Sequence, residues 1–200
     1  MQAIRRKSSL RRAAASARNR LSRMKWKATS SVDSVFDAGK VLDVGCGGGQ
    51  RLAPPVIPYG IEISEVLFAA ADKHMRERGG YCLHTTGVEG IKEFDANYFD
   101  GVLMHSYLEH EVEALPVLSG AHRCLKAGGR VFVRVPNFAS LNRLAFGRKW
   151  CGFRYPDHVN YFTPRSLRLM ARKAGFSMRI LNRLRLPVDD NIHALLTKTD

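Results

Sequence analysis

The sequence predicts an α/β fold, doubly wound, in which a mostly parallel sheet carries helices on both faces. Three observations lead there. Short apolar runs at 40–44, 59–63, 81–84, 99–104 and 130–135 have the length of buried strands. Segments of helical spacing lie between several of them, and strands alternating with helices pair in parallel. The first run empties into a glycine cluster, where such a sheet turns its backbone toward a ligand. Right-handed crossovers then line the strand C-termini along one rim.

Taken in order, Lys40 to Val44 is the first strand, fed directly into glycine. Tyr59 to Ile63 is the second, and Ser64 caps a helix whose apolar face is Val66, Leu67, Ala70 and Ala71. Gly79-Gly80 stops it. Tyr81 to His84 is a third strand and Phe99 to Met104 a fourth, followed by a helix over 111–125 that ends at Gly128-Gly129. Arg130 to Val135 is a fifth strand, stopped by Pro136. Thr163-Pro164 opens another helix with an N-cap and a proline at its first position, and Gly175 closes it. Phe176 to Leu184 and Asn191 to Thr197 read as a final antiparallel hairpin. Residues 137–162 carry Phe138, Phe146, Trp150, Phe153 and Tyr155 with no clear period. They read as an insertion that serves as a substrate lid or packs as a flap.

The charge is unevenly spread. Of the net +14, residues 1–30 hold ten Lys or Arg and no acid, whereas residues 31–142 hold ten basic and fourteen acidic residues. Residues 143–200 are basic again, with twelve Lys or Arg against four acids. The expected organisation is a basic extension over 1–30 and one folded domain over 31–200. The arm reads as a solvated, partly helical basic extension, with contact to nucleic acid or an anionic membrane, or an organellar transit peptide, as the alternatives. No apolar run is long enough to cross a bilayer. The four cysteines lack metal-ligand spacing, so no metal is expected and a reducing, cytoplasmic compartment is; an organellar matrix is the alternative.

The decisive segment is VLDVGCGGGQ, residues 41–50. A dinucleotide fingerprint, G-x-G-x-x-G, would need glycine where Gln50 stands. The run is instead Gly45, Gly47 and Gly49 behind Asp43, and a carboxylate there suits a ligand with a cationic amino-acid head. Nineteen residues on, Glu62 ends the second strand, where an acid accepts hydrogen bonds from both hydroxyls of a ribose. Ile63 and Val88 are placed to sandwich an adenine.

These segments, with YFDGVLMHSYLEH (98–110), HRCLKAGGRVFVRVPN (122–137) and HVNYFTPRSLRLMARKAGF (158–176), resemble the class I methyltransferases that use S-adenosylmethionine (SAM). The similarity spans roughly residues 35–200 and is strongest toward the ubiquinone-biosynthesis branch. It implies a Rossmann-like sheet of seven strands with an antiparallel last strand. It also implies SAM as cofactor, held by Asp43, Gly45, Gly47 and Gly49 at its methionyl end and by Glu62 at its ribose. Ile63 and Val88 flank its adenine, and Met104 and His105 line the edge near its sulfonium. The chain departs from that pattern twice: prolines 54, 55 and 58 truncate the helix that usually follows the glycines, and Val88 stands where many relatives place an acid.

Methyl transfer from a sulfonium depends chiefly on holding donor and acceptor together. A base is needed only for an acceptor that must lose a proton, and His105 and His110 are the candidates. His110 could instead cap the helix that follows it, and Asp157-His158 is a further orienter and base pair. The fourth strand runs into Met104-His105-Ser106-Tyr107, not the [DNS]PP[YFW] of adenine amino methylation, and no Pro-Cys dipeptide occurs for cytosine C5 chemistry. The expected reaction is therefore methylation of a small molecule at oxygen or a similar nucleophile. The alternative is a non-catalytic basic domain bound to RNA or an anionic membrane.

Overall fold

Lys40–Val44 forms β1 as a run of apolar side chains bounded by Gly39 and Gly45, and four of its five residues are buried. The structure, a computed structural model, describes residues 35–199; the basic arm over 1–30 lies outside them. Six further strands follow: β2 Ile57–Glu62, β3 Cys82–His84, β4 Phe99–His105, β5 Leu125–Pro136, β6 Phe176–Ile180 and β7 Asn191–Lys198. They make one sheet in the order β3-β2-β1-β4-β5-β7-β6. The first five pair in parallel, and β7 runs antiparallel to both β5 and β6. Chain order reverses at β1, which has β2 on one side and β4 on the other, so the crevice for a ligand opens at their C-terminal ends.

The helices are α1 Glu65–Arg76, a single turn α2 Gly87–Gly90, α3 Ala114–Cys124, α4 Leu141–Phe146 and α5 Pro164–Lys173. In α5 the expected N-cap is a full capping box, because Thr163 and Ser166 satisfy each other's backbone. Ser64 precedes α1 but makes no side-chain cap; its backbone N–H is taken by Glu62 instead. Between Gly49 and β2 there is no helix, only turns through Ala53 and Val56, as the prolines require. The chain crosses from Val44 to Ile57 without a helix, and Arg51 is carried back toward the end of β1.

The main core joins both layers: Leu42, Val44, Phe99, Val102, Val131 and Val133 from the strands meet Leu118 and Ala121 of α3 and Leu167 of α5. Each fully buried side chain of this size contributes about 1.5–3 kcal/mol. Tyr59, Tyr81, Phe94, Tyr98 and Phe99 add an edge-to-face aromatic cluster under β2.

The aromatic segment divides. Phe138, Trp150, Phe153 and Tyr161 pack on one another, and Trp150 Nε1 donates to Asp190 at 2.7 Å. Phe146 and Tyr155 stay exposed. Three of the five aromatics singled out in the segment, Phe138, Trp150 and Phe153, are thus spent on packing it.

Candidate active site

The glycine loop after β1 is built by backbone conformation. Gly45, Gly47 and Gly49 all adopt positive φ, at 70°, 58° and 76°. Gly45 N–H and Cys46 N–H both donate to Ile61 O, at 2.9 and 3.1 Å, which binds the loop to β2. A Cβ on Gly45 would come within 2.7 Å of the Tyr107 ring, and one on Gly87 would collide with the Tyr107 hydroxyl. Tyr107 thus fills the space between these two glycines, with its hydroxyl donating to Glu111.

Asp43 is 1% exposed and ends β1 beneath this loop. Its Oδ2 accepts from Arg51 Nη1 at 3.1 Å, and the same nitrogen donates to Gly45 O at 3.0 Å. Oδ1 is buried with no hydrogen-bond partner. Burial raises the carboxyl to about 6, and the Arg51 guanidinium offsets only part of that cost. A buried acceptor left unpaired costs about 1–3 kcal/mol, so this oxygen is complementary to a donor that the chain does not supply.

Glu62 sits at the end of β2, 8% exposed, and both its oxygens are engaged: Oε2 by Gly47 N–H at 2.7 Å and Oε1 by Ser64 N–H at 2.9 Å. It therefore pins the glycine loop as well as facing the crevice. Each oxygen keeps a second lone pair for a ligand. Ile63 is 67% exposed beyond it, and Val88 is half-buried in α2. Met104 differs from expectation. It is fully buried in the main core, so its side chain cannot line the crevice. Its neighbour His105, on the opposite face of β4, is half-buried at the rim.

A cavity of about 210 Å³ opens beyond β4, at the C-terminal end of β5 and the N-terminal end of β7, lined by Ser106, Glu109, His110, Arg134, Cys151 and His158 among others. Residues 151–158 form one wall of it. Ser106 holds a left-handed φ of 54°, and its Oγ takes Arg134 Nη1 at 2.6 Å. The ring nitrogens are oriented by carbonyls: His110 Nδ1 donates to Asp157 O at 2.8 Å, and His158 Nδ1 donates to Gly152 O at 2.9 Å. A carbonyl only accepts, so both Nδ1 atoms carry a proton, and in the neutral ring Nε2 is the atom that keeps a lone pair. The rings stand edge to face with centroids 4.7 Å apart. His110 does not cap the following helix, and Asp157 acts through its carbonyl on His110, not through its carboxylate on His158.

Glu109, 2% exposed, completes this group: one donor atom each from Glu109, His110 and His158 lies within 4.8 Å of the others. Two nitrogens and one carboxylate oxygen are a donor set able to hold a divalent cation. No spacing announced it, because His158 comes from another segment of the chain. Burial pushes Glu109 up and His158 down, so both are driven toward their neutral forms. His105 is lowered to about 4 by burial, with Arg134 and Arg51 adding repulsion, and is neutral at pH 7. Arg51, Tyr107, Glu109 and Arg134 are the site residues that sequence reading missed. An isolated arginine or tyrosine carries no signal until the fold aims it.

Residues 6–180 match the family described as Methyltransferase domain. A ubiquinone biosynthesis O-methyltransferase of Nitrosococcus oceani is 30% identical over 186 residues, covering 79% of this chain and 76% of that protein. The Methylococcus capsulatus protein of the same name is 35% identical over 109 residues, and that match spans 44% of its length. Among solved structures, a SAM-dependent methyltransferase of Thermotoga maritima superposes with a TM-score of 0.63 at 22% identity, covering 84% of this chain and 86% of that one. A 1,6-didemethyltoxoflavin N1-methyltransferase of Burkholderia thailandensis, solved with S-adenosylhomocysteine, superposes with a TM-score of 0.58 at 17% identity. That match covers 96% of this chain and 89% of the other. These structures share the Rossmann-like fold.

Proposed function

Since the chain belongs to the methyltransferase-domain family, we propose that it transfers a methyl group from SAM to a hydroxyl of a small molecule. The observation that carries the cofactor is the unpartnered Oδ1 of buried Asp43 beneath three left-handed glycines. The methionyl ammonium is the missing donor. Arg51, already paired to Asp43, stands beside it to meet the methionyl carboxylate, so a zwitterionic head would exchange one ion pair for two. Glu62 takes the ribose with its remaining lone pairs, Ile63 and Val88 flank the adenine, and His105 borders the crevice as a neutral ring.

When bound, SAM supplies an activated methyl whose displacement leaves the bonding electron pair on sulfur. The residues of the chain position the acceptor and move one proton. His110 is the better base of the two candidates, because its Nδ1–H is held by Asp157 O and its Nε2 lone pair belongs to the cavity's group of donor atoms. His105, lowered to about 4, is too weakly basic to take a hydroxyl proton efficiently near neutral pH. The wall over 151–158 closes the acceptor cavity as part of the segment 137–162. The family match favours this reading over a non-catalytic basic domain, and the arm over 1–30 remains a proposed extension to the domain over 31–200.

His110→Asn is expected to lower turnover by about 10²–10⁴-fold, the usual worth of a positioned base. Binding of S-adenosylhomocysteine (SAH) should be unchanged, since His110 lies on the acceptor side of β4. His105→Asn should cost far less. Turnover by single-step mass spectrometry and SAH calorimetry check both, and a larger loss in His105→Asn would reverse the assignment.

A further inference from the structure

Arg134 is an unusual floor for the cavity beyond β4. It lies inside β5, is largely shielded from solvent, and takes part in none of the ion pairs among the described residues. One of its nitrogens is spent on Ser106 Oγ at 2.6 Å. Its Nε–H is buried without an acceptor. Glu109, lining the same cavity, buries an Oε2 without a donor. These two orphans have opposite sense and do not meet, so each is complementary to a different group on one ligand. A guanidinium held with an open N–H edge selects a planar anion. A carboxylate oxygen without a donor selects a hydroxyl. Asp190, the other acid of the cavity wall, is already committed to Trp150, Ser140 and Asn142.

We propose that the methyl acceptor is a hydroxy acid, whose carboxylate pairs with Arg134 and whose hydroxyl faces Glu109 and His110. This rests on the reading of the chain as a methyltransferase and adds the acceptor's chemical class. A carboxylate fits better than a phosphate, because Asp190 in the wall of so small a cavity would repel a second negative charge. Arg154, at the mouth, adds a second cation on the approach. Arg134 is then the residue that sets specificity, as buried polar groups reject a ligand that leaves them unpaired.

The test titrates the full chain, saturated with SAH, with the three hydroxybenzoate isomers and the matching hydroxybenzamides, which differ only in charge. At least one isomer should bind tenfold or more tighter than its amide. That ratio should fall to about twofold or less in Arg134→Gln and persist in part in Arg134→Lys. SAH affinity and the melting transition of each variant report that it is folded. Equal binding of acid and amide overturns the proposal, as does a preference that survives in Arg134→Gln. Tighter binding of inorganic phosphate than of every benzoate overturns the carboxylate assignment. Failure of the wild-type chain to bind SAH at all would refute the cofactor reading itself, and is seen before any acid is added.

Discussion

Glu62→Ala is expected to lower SAH affinity by about 10²-fold and to lower the melting temperature in the same variant. The carboxylate holds Gly47 N–H at 2.7 Å and Ser64 N–H at 2.9 Å, so its removal frees the glycine loop and the entry to α1 together. Hydrogen bonds to a charged group contribute about 1.5–3 kcal/mol each, and the ribose contacts add to the loss on the binding side. From sequence alone the effect would fall on the cofactor far more than on the fold. The two backbone contacts change that expectation. Glu62→Gln keeps one carbonyl acceptor and should retain part of both properties. Calorimetry and a thermal melt on the two variants check this; a Glu62→Ala protein with wild-type affinity would remove Glu62 from the cofactor site.

Gly49→Val should be the most destabilising change in the loop, lowering stability by about 2–5 kcal/mol. Its φ of 76° is costly for any residue with a Cβ, by about 1–2 kcal/mol, and more for a branched one. A Cβ there would also stand 3.0 Å from Ala71 Cα, 3.1 Å from Ala71 Cβ and 3.2 Å from Met75 Cε. Ala71 and Met75 are fully buried on α1, and the nearest atom is backbone, which cannot swing aside. Overpacking of this kind adds about 1–3 kcal/mol. Native stabilities of about 5–15 kcal/mol make that a large share. Gly47→Ala is the internal control: its φ is similar, but the nearest atom to its Cβ is Arg51 Nη2 at 3.7 Å. It should melt well above Gly49→Val, and equal melting temperatures would refute the packing argument.

What was legible in the sequence follows from the range of the interactions involved. β1 and the glycine loop are local: an apolar run, a carboxylate and three glycines announce themselves, and Lys40–Val44 agrees residue for residue. β2 begins at Ile57, two residues ahead of the apolar reading, because Ile57 N–H bonds to Gly39 O and Pro58 is tolerated within the strand. β5 reaches back to Leu125, since its N-terminal end pairs with Phe99 although a glycine turn interrupts the apolar pattern. Met104 and His105 were both assigned to the crevice by resemblance, yet adjacent residues of a strand face opposite sides, and only one of the two can reach it. The Asp43–Arg51 pair, the Glu109–His110–His158 group and the open edge of Arg134 are tertiary. His158 lies 48 positions after His110 in the chain, and no periodicity encodes their meeting.

The central claim, that the crevice at the end of β1 holds SAM, is tested most directly by calorimetric titration of the full chain with SAH at pH 7.5 and pH 5. Asp43, at about 6, is ionised at the higher pH and mostly protonated at the lower. The free protein therefore binds a proton at pH 5 that an incoming ammonium must expel, and affinity falls by about tenfold per pH unit below 6. For folding alone the sign is opposite: a raised carboxyl favours the folded state as the pH falls through that range, so lost binding at pH 5 is not lost structure from this group. One SAH per chain at pH 7.5, with weaker binding and proton release at pH 5, is the predicted result. No heat at millimolar SAH at pH 7.5, from a chain that still melts cooperatively, would contradict it.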